Sequence, residues 1–150
     1  MQGVKSRVLC LDIGDKRIGV AVSDPLGLTA QAVTTLERKA FKADCAKIVQ
    51  LLKEYEACKM ILGLPLDLEN KEGPQAKKVR FFAEGLKKFL NESQVTAEVH
   101  FWDESFSSQD AEAILLEADM SREKRRKVID KLAASLILQS YLDQHESNPQ

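Results

Sequence analysis

Residues 8–13, Val-Leu-Cys-Leu-Asp-Ile, are apolar on both alternating faces, and only Asp12 interrupts them. A strand of that kind has to be covered above and below, which places it in the middle of a sheet with helices on its two sides. The chain has 150 residues, and one of that size hides roughly 70% of the surface it exposes unfolded, so a layered core forms without covalent staples. The short turn Gly14-Asp15-Lys16 leads into Arg17–Ser23, close enough for an antiparallel hairpin, and a third strand follows from Ala30 to Leu36.

The rhythm then becomes helical. Cys45, Ile48, Val49, Leu52 and Tyr55 mark a helix from about Lys42 to Tyr55, Met60–Leu62 a short buried strand, and Pro74 the first turn of a helix reaching about Asn91. Val95–Trp102 alternates as a strand and ends at Asp103 and Glu104. Ser107-Ser-Gln-Asp110 has the form of a capping box, and a last helix is expected from about Ser121 to Asp143. The order βββαβαβαα predicts an α/β fold: a mixed five-stranded sheet with helices on both faces, parallel where helices intervene and antiparallel in the opening hairpin. A single domain is expected over 1–150, with residues from about 145 to 150 a disordered polar tail.

Composition narrows the chemistry. Lys plus Arg number 22 against 23 Asp plus Glu, so any polyanion partner must be held by local clusters. No apolar run approaches the roughly 20 residues of a bilayer crossing, and a cytoplasmic location with no membrane partner is expected. Cys10, Cys45 and Cys58 fit neither a zinc site nor a redox pair, and with only His100 and His145 present, carboxylates are the main chemical resource.

The carboxyl ends of parallel strands share one edge, the usual place for a site in α/β proteins. Asp12 and the pair Asp103 and Glu104 stand at such ends, and Asp130 lies on the last helix beside its apolar stripe, within reach of the same edge. Carboxylates gathered without histidine or cysteine form a hard-oxygen site for Mg²⁺ or Mn²⁺. Two such ions about 3.5–4 Å apart would neutralise them and stabilise the attacking and leaving oxygens of a phosphodiester displacement. Each acid also has a plain structural reading. Asp12 can form an Asx turn with Gly14, Asp130 an ion pair with Arg126 or Lys127, and Asp103 with Glu104 a charged approach to a helix N-terminus. The pleat leaves Asp103 and Glu104 undecided, because parity fails where a strand ends.

The segment Leu11-Asp-Ile-Gly-Asp-Lys-Arg-Ile-Gly-Val-Ala-Val-Ser-Asp24 resembles the opening motif of the YqgF family, also called RuvX, which contains the pre-16S rRNA nucleases. Gly63-Leu-Pro-Leu66 with Glu72–Ala76 and Val79–Leu86 resembles its central block, Trp102-Asp-Glu104 its DER block, and Asp130–Ala134 with Ile137–Leu142 its final helix. The likeness spans nearly the whole chain. It implies an RNase H-like fold with catalytic, metal-binding acids at Asp12, Asp103 or Glu104, and Asp130. Ser105 stands where the family usually has arginine, Asn70 where it has glycine, and Ser107 and Ser108 where it has paired threonines.

For substrate, Lys16 and Arg17 in the first turn are candidates to bind a phosphate beside the one being cut. Arg122, Lys124, Arg125, Arg126 and Lys127 crowd the start of the last helix against its dipole, which contacts to a polyanion would explain, a solvated charged face being the plain alternative. Ser107 and Ser108 offer either a phosphate-binding helix start or self-capping. The resemblance implies a metal-dependent endonuclease maturing the 5′ end of 16S rRNA during ribosome biogenesis. In that scheme Asp12 bridges both ions, Glu104 or Asp103 binds one, and Asp130 the other. Alternatives are a Holliday-junction resolvase on branched DNA, which would cut symmetrically only as a two-fold dimer, and a nucleic-acid-binding module with decayed catalysis. An actin-like phosphate loop built on Asp12, Gly14 and Gly19 would need a second related domain. Substrate type and the choice between monomer and homodimer stay open at this level.

Overall fold

The computed structural model describes residues 7–67, 69, 71–104 and 122–147, excluding the side chains of Glu104, Arg122, Glu123, Arg125, Arg126, Lys127, Glu146 and Ser147. The helix expected to begin at Ser107, with Ser105, Ser107 and Ser108, lies outside the described residues, as do Asn70 and residues 148–150 of the expected tail. The first residues of that tail, 145–147, are helical, contrary to the expected disorder, because they continue the last helix, where His145 bonds the Tyr141 carbonyl.

Three strands open the chain as an antiparallel meander, β1 (Arg7–Ile13), β2 (Arg17–Ser23) and β3 (Ala30–Glu37). The first turn closes where the Gly14 N–H donates to the Arg17 carbonyl at 2.9 Å. The second is built on Asp24, whose Oδ1 accepts the N–H groups of Leu28 at 2.7 Å and Thr29 at 2.9 Å. Those bonds, Thr29's foremost, hold the Asp24 carboxyl below its ordinary pKa, so this acid is a turn former. Helix α1 (Phe41–Glu54) follows and stops where Glu56 takes φ 53°. Buried Asp44 braces its start, accepting the Lys39 N–H at 2.9 Å and Arg38 Nε at 3.5 Å.

Strand β4 (Ala57–Pro65) is longer than the apolar run that marks it, because its ends pair with β1 and β5 (Glu98–Glu104) through backbone bonds that need no apolar side chain. Helix α2 (Pro74–Glu92) begins with proline at its first turn, and α3 (Arg122–Ser147) ends the described chain. The sheet order is β3-β2-β1-β4-β5, with β4 parallel to β1 and β5. The doubly apolar β1 is therefore the central strand, as its pattern requires.

Two cores lie on opposite sides of that sheet. Leu9, Leu11, Ile13, Ile18, Val20 and Leu62 face α1 and α2, meeting Ile48, Leu52, Phe82 and Leu86. Cys10, Ala21 and Ile61 face α3, meeting Ala134, Ile137, Leu138 and Tyr141. Small residues on the second face let a single long helix lie close to the strands. Burial of each large aliphatic side chain contributes about 1.5–3 kcal/mol to that packing.

Candidate active site

Asp12 shares the parity of Cys10 on β1 and so belongs to the α3 face, directly opposite Gly19 on β2. Gly19 has no side chain for a physical reason. A Cβ there would run into the Asp130 carbonyl and press on the Lys131 nitrogen, so α3 rests its backbone on the glycine. That close approach seats Asp130 beside Asp12. Further along, the Gln139 side chain clamps the helix, accepting the Ala30 N–H at 2.9 Å and donating to the Leu28 carbonyl at 3.0 Å.

The two acids feel one another. Burial, and then the charge of Asp130, push the Asp12 carboxyl up to about 6. Asp130 in turn accepts a 2.6 Å bond from Arg17 Nε, between side chains 22% and 26% exposed. Arg17 is two residues before Gly19 on β2, so strand, glycine and helix form one assembly. Two carboxylates against one guanidinium leave a net negative charge in a partly desolvated place. Oxygen donors in that state suit a hard divalent cation.

Other expected residues take distinct places. Asp103 has the parity of Val99 and Phe101, which pack toward α1 and α2, and it is exposed. Its charge acts on Arg80, which stacks over Phe101 at 4.8 Å and pairs with Glu72 at 2.6 Å. Position 104, opposite Pro65, has the parity of Trp102 instead. Trp102 packs on the α3 side, donating to Ser140 Oγ at 3.3 Å and meeting Tyr141 edge-on, so it ties β5 to the helix. His100 bonds Glu98 at 3.0 Å and is exposed. Lys16 is exposed at the turn, and Arg17 gives its Nε to Asp130. Arg122, Arg125 and Arg126 lie in the turns of α3 that precede Asp130. Among the described residues no group of three metal-ligating side chains is assembled; the pair Asp12 and Asp130 is what the fold brings together.

Two features escape a reading of the sequence by residue type. The Arg17–Asp130 bond joins positions 113 apart, and nothing in the α3 sequence singles out Arg17 over Arg126 or Lys127 as partner. Gly19 did carry a signal, since glycine inside a strand marks a close backbone approach. Its neighbour proves to be a helix, not a phosphate.

Residues 6–144 match the RuvX family, described as Holliday junction resolvase. The chain belongs to the RuvX family. It is 50% identical over 139 residues to a Myxococcus xanthus protein, covering 93% of this chain and 89% of the other. It is 47% identical over 137 residues to one from Syntrophomonas wolfei, covering 91% and 94%. Both relatives carry the name "Putative pre-16S rRNA nuclease". Among solved structures, the RuvX chain aligns with Thermus thermophilus RuvC in complex with a Holliday junction substrate at a TM-score of 0.57 and 12% identity, over 96% of this chain and 98% of that one. It aligns with the Fowlpox virus resolvase bound to junction DNA at 0.52 and 14%, over 92% and 97%. These likenesses establish the RuvC-like RNase H fold.

Proposed function

We propose that the protein is a metal-dependent endonuclease that hydrolyses phosphodiester bonds in RNA, acting on the 5′ end of pre-16S rRNA during ribosome biogenesis. Membership of a nuclease family and the names of its relatives support an enzyme of this class. The observation that carries the reading is the meeting of Asp12 and Asp130 across Gly19, at the carboxyl edge of the central strand.

In this reading Asp12 and Asp130 hold Mg²⁺ or Mn²⁺ through carboxylate oxygens, with Glu104 as the third acid on the strength of its strand position. Asp103, on the other parity, is the weaker candidate. A divalent ion bound there supplies Lewis acidity to the attacking water and to the departing 3′ oxygen. Asp12 has to be a carboxylate to serve, and a bound divalent cation would offset the burial and the Asp130 charge that otherwise favour its acid form. Arg17 fixes one oxygen of Asp130 and leaves the other for the ion. Lys16, Arg122, Arg125 and Arg126, together with Ser107 and Ser108, are assigned to flanking phosphates in this reading. The bond to Asp130 uses Arg17 Nε alone and leaves the other guanidinium N–H groups for a phosphate, so Arg17 serves both the acid cluster and the substrate.

The family description also supports a second reading, cleavage of four-way DNA junctions. One assay separates the two. Purified protein is incubated with end-labelled pre-16S leader RNA, unrelated single-stranded RNA and four-way DNA junctions, in Mn²⁺, Mg²⁺ or chelator, beside Asp12→Asn. Mapped cuts in leader RNA that need metal and vanish in the variant are the expected result. Paired symmetric nicks in the junction, with RNA intact, would replace the RNA reading. Cleavage that persists in Asp12→Asn would remove the proposed centre altogether.

A further inference from the structure

On the α1/α2 side of the sheet, immediately past the carboxyl end of β1, a cleft of about 600 Å³ opens between the β1–β2 turn and helix α2. Its volume falls in the roughly 300–1,000 Å³ range of sites that enclose a drug-sized group. Ile13, the residue after Asp12, forms part of its wall, so cleft and proposed centre stand at the same end of β1 on opposite faces of the sheet. Phe82 and Phe41 meet edge-to-face with centroids 5.3 Å apart, and the Phe41 ring lies so close over Gly85 that a side chain there would collide with it. The apolar lining is therefore held in place. The polar rim is likewise pinned: Arg38 donates to the Gly14 carbonyl at 3.0 Å and Gln75 to the Ile13 carbonyl at 3.3 Å.

What this cleft presents outward is unusual for a protein surface. Phe81, on its α2 side, is 83% exposed, the most exposed large apolar residue among those described. It stands beside Arg38, Lys77 and Lys78, while the single carboxylate in the lining, Asp15, already bonds Lys78 at 3.2 Å. A flat apolar face set among cations complements a flat, uncharged ring carried on an anionic chain. That is the chemistry of an unpaired nucleotide.

We propose that the cleft is a nucleobase subsite: Phe81 stacks on an unpaired base of the substrate strand, and Lys77 and Lys78 meet the phosphates that flank it. A strand engaged both here and at Asp12 and Asp130 has to pass around the carboxyl end of β1 from one face of the sheet to the other, so the subsite selects single-stranded or splayed substrate over a continuous duplex. The inference rests on the nuclease reading, and its test is made on binding so that the two can fail separately.

The test compares wild type, Phe81→Ala and Phe81→Trp for affinity toward a fluorescently labelled single-stranded RNA and a duplex of the same sequence, in EDTA so that no cutting intervenes. Phe81 is a surface residue, and circular dichroism confirms that both variants fold. Phe81→Ala is expected to weaken single-strand binding about tenfold and duplex binding little. Phe81→Trp is expected to restore the affinity, with quenching of its indole fluorescence as the base stacks. Equal affinity of wild type and Phe81→Ala for single strands overturns the subsite, even if metal-dependent cleavage at Asp12 stands. Unchanged affinity together with a shift from dimer to monomer in sedimentation assigns the face to a second copy of the chain, and also overturns it. Wild type that binds no nucleic acid at all ends the nuclease reading together with the subsite.

Discussion

Asp12 concentrates the electrostatic tension of this molecule. Its pKa of about 6 in the fold stands above the ordinary 3.8, so the metal-free fold binds this proton more tightly than the unfolded chain does. The resulting stabilisation is complete below about pH 4 and is lost as pH rises through about 6. Asn in place of Asp12 removes the buried charge. In EDTA at pH 8, Asp12→Asn is therefore expected to exceed wild type in stability by about 1–3 kcal/mol, a margin that shrinks toward pH 5. Urea midpoints at the two pH values check this, and a variant no more stable than wild type at pH 8 would contradict the crowding of the two acids. Arg17 offsets part of that tension through its 2.6 Å bond to Asp130. Arg17→Gln is expected to cost the metal-free protein about 1 kcal/mol, discounted for partial exposure. The double variant with Asp130→Asn should show coupling between the two positions, whereas strict additivity would mean the bond has no energetic weight.

Helix α3 and strand β2 decide where Asp130 goes. The contact at Gly19 is backbone to backbone, so no rotamer change relieves a methyl group placed there. Gly19→Ala is expected to cost about 1–3 kcal/mol or more as the helix is forced off the strand. Metal-dependent cleavage should fall more steeply than stability, because a displacement of about 1 Å at reacting groups is enough to cost about a hundredfold. Denaturant melts and cleavage rates measured together separate the two effects, and cleavage at the wild-type rate would show that the close approach does not set the site. The Gln139 clamp acts on the same helix at its other end. Gln139→Ala should lower stability by about 1 kcal/mol, read from the urea midpoint, and leave Asp130 seated on Gly19.

Across the whole molecule, the sheet works as a partition. One face is closed by α1 and α2 over a large aliphatic core, and the other by α3 over small residues that let acids approach. A cation taken up by Asp12 and Asp130 would bind the folded chain and not the unfolded one. Mn²⁺ at a hundredfold excess over its dissociation constant is then expected to add about 2.7 kcal/mol of stability to wild type and little to Asp130→Asn, measured by thermal melting. Equal shifts in both proteins would place the ion elsewhere. Among the described residues no helix is long and apolar enough to cross a membrane.

Much of this was legible in order along the chain. The doubly apolar run around Leu9 and Leu11 required a central strand, the alternation of helices with strands required parallel neighbours, and both appear at the expected residues. Asp12, Asp103 and Glu104 were recognisable as candidates by their positions at strand ends, and Asp130 by its place beside the apolar stripe of the last helix. Parity at the end of β5 was not readable, because whether the pleat continues depends on backbone pairing with Leu64 and Pro65. Local sequence thus determined which elements form and which of their faces are apolar, since those depend on neighbours a few residues away. Only the tertiary structure decided that Asp130 meets Asp12 and Arg17, because that encounter depends on one helix settling onto one glycine from far along the chain.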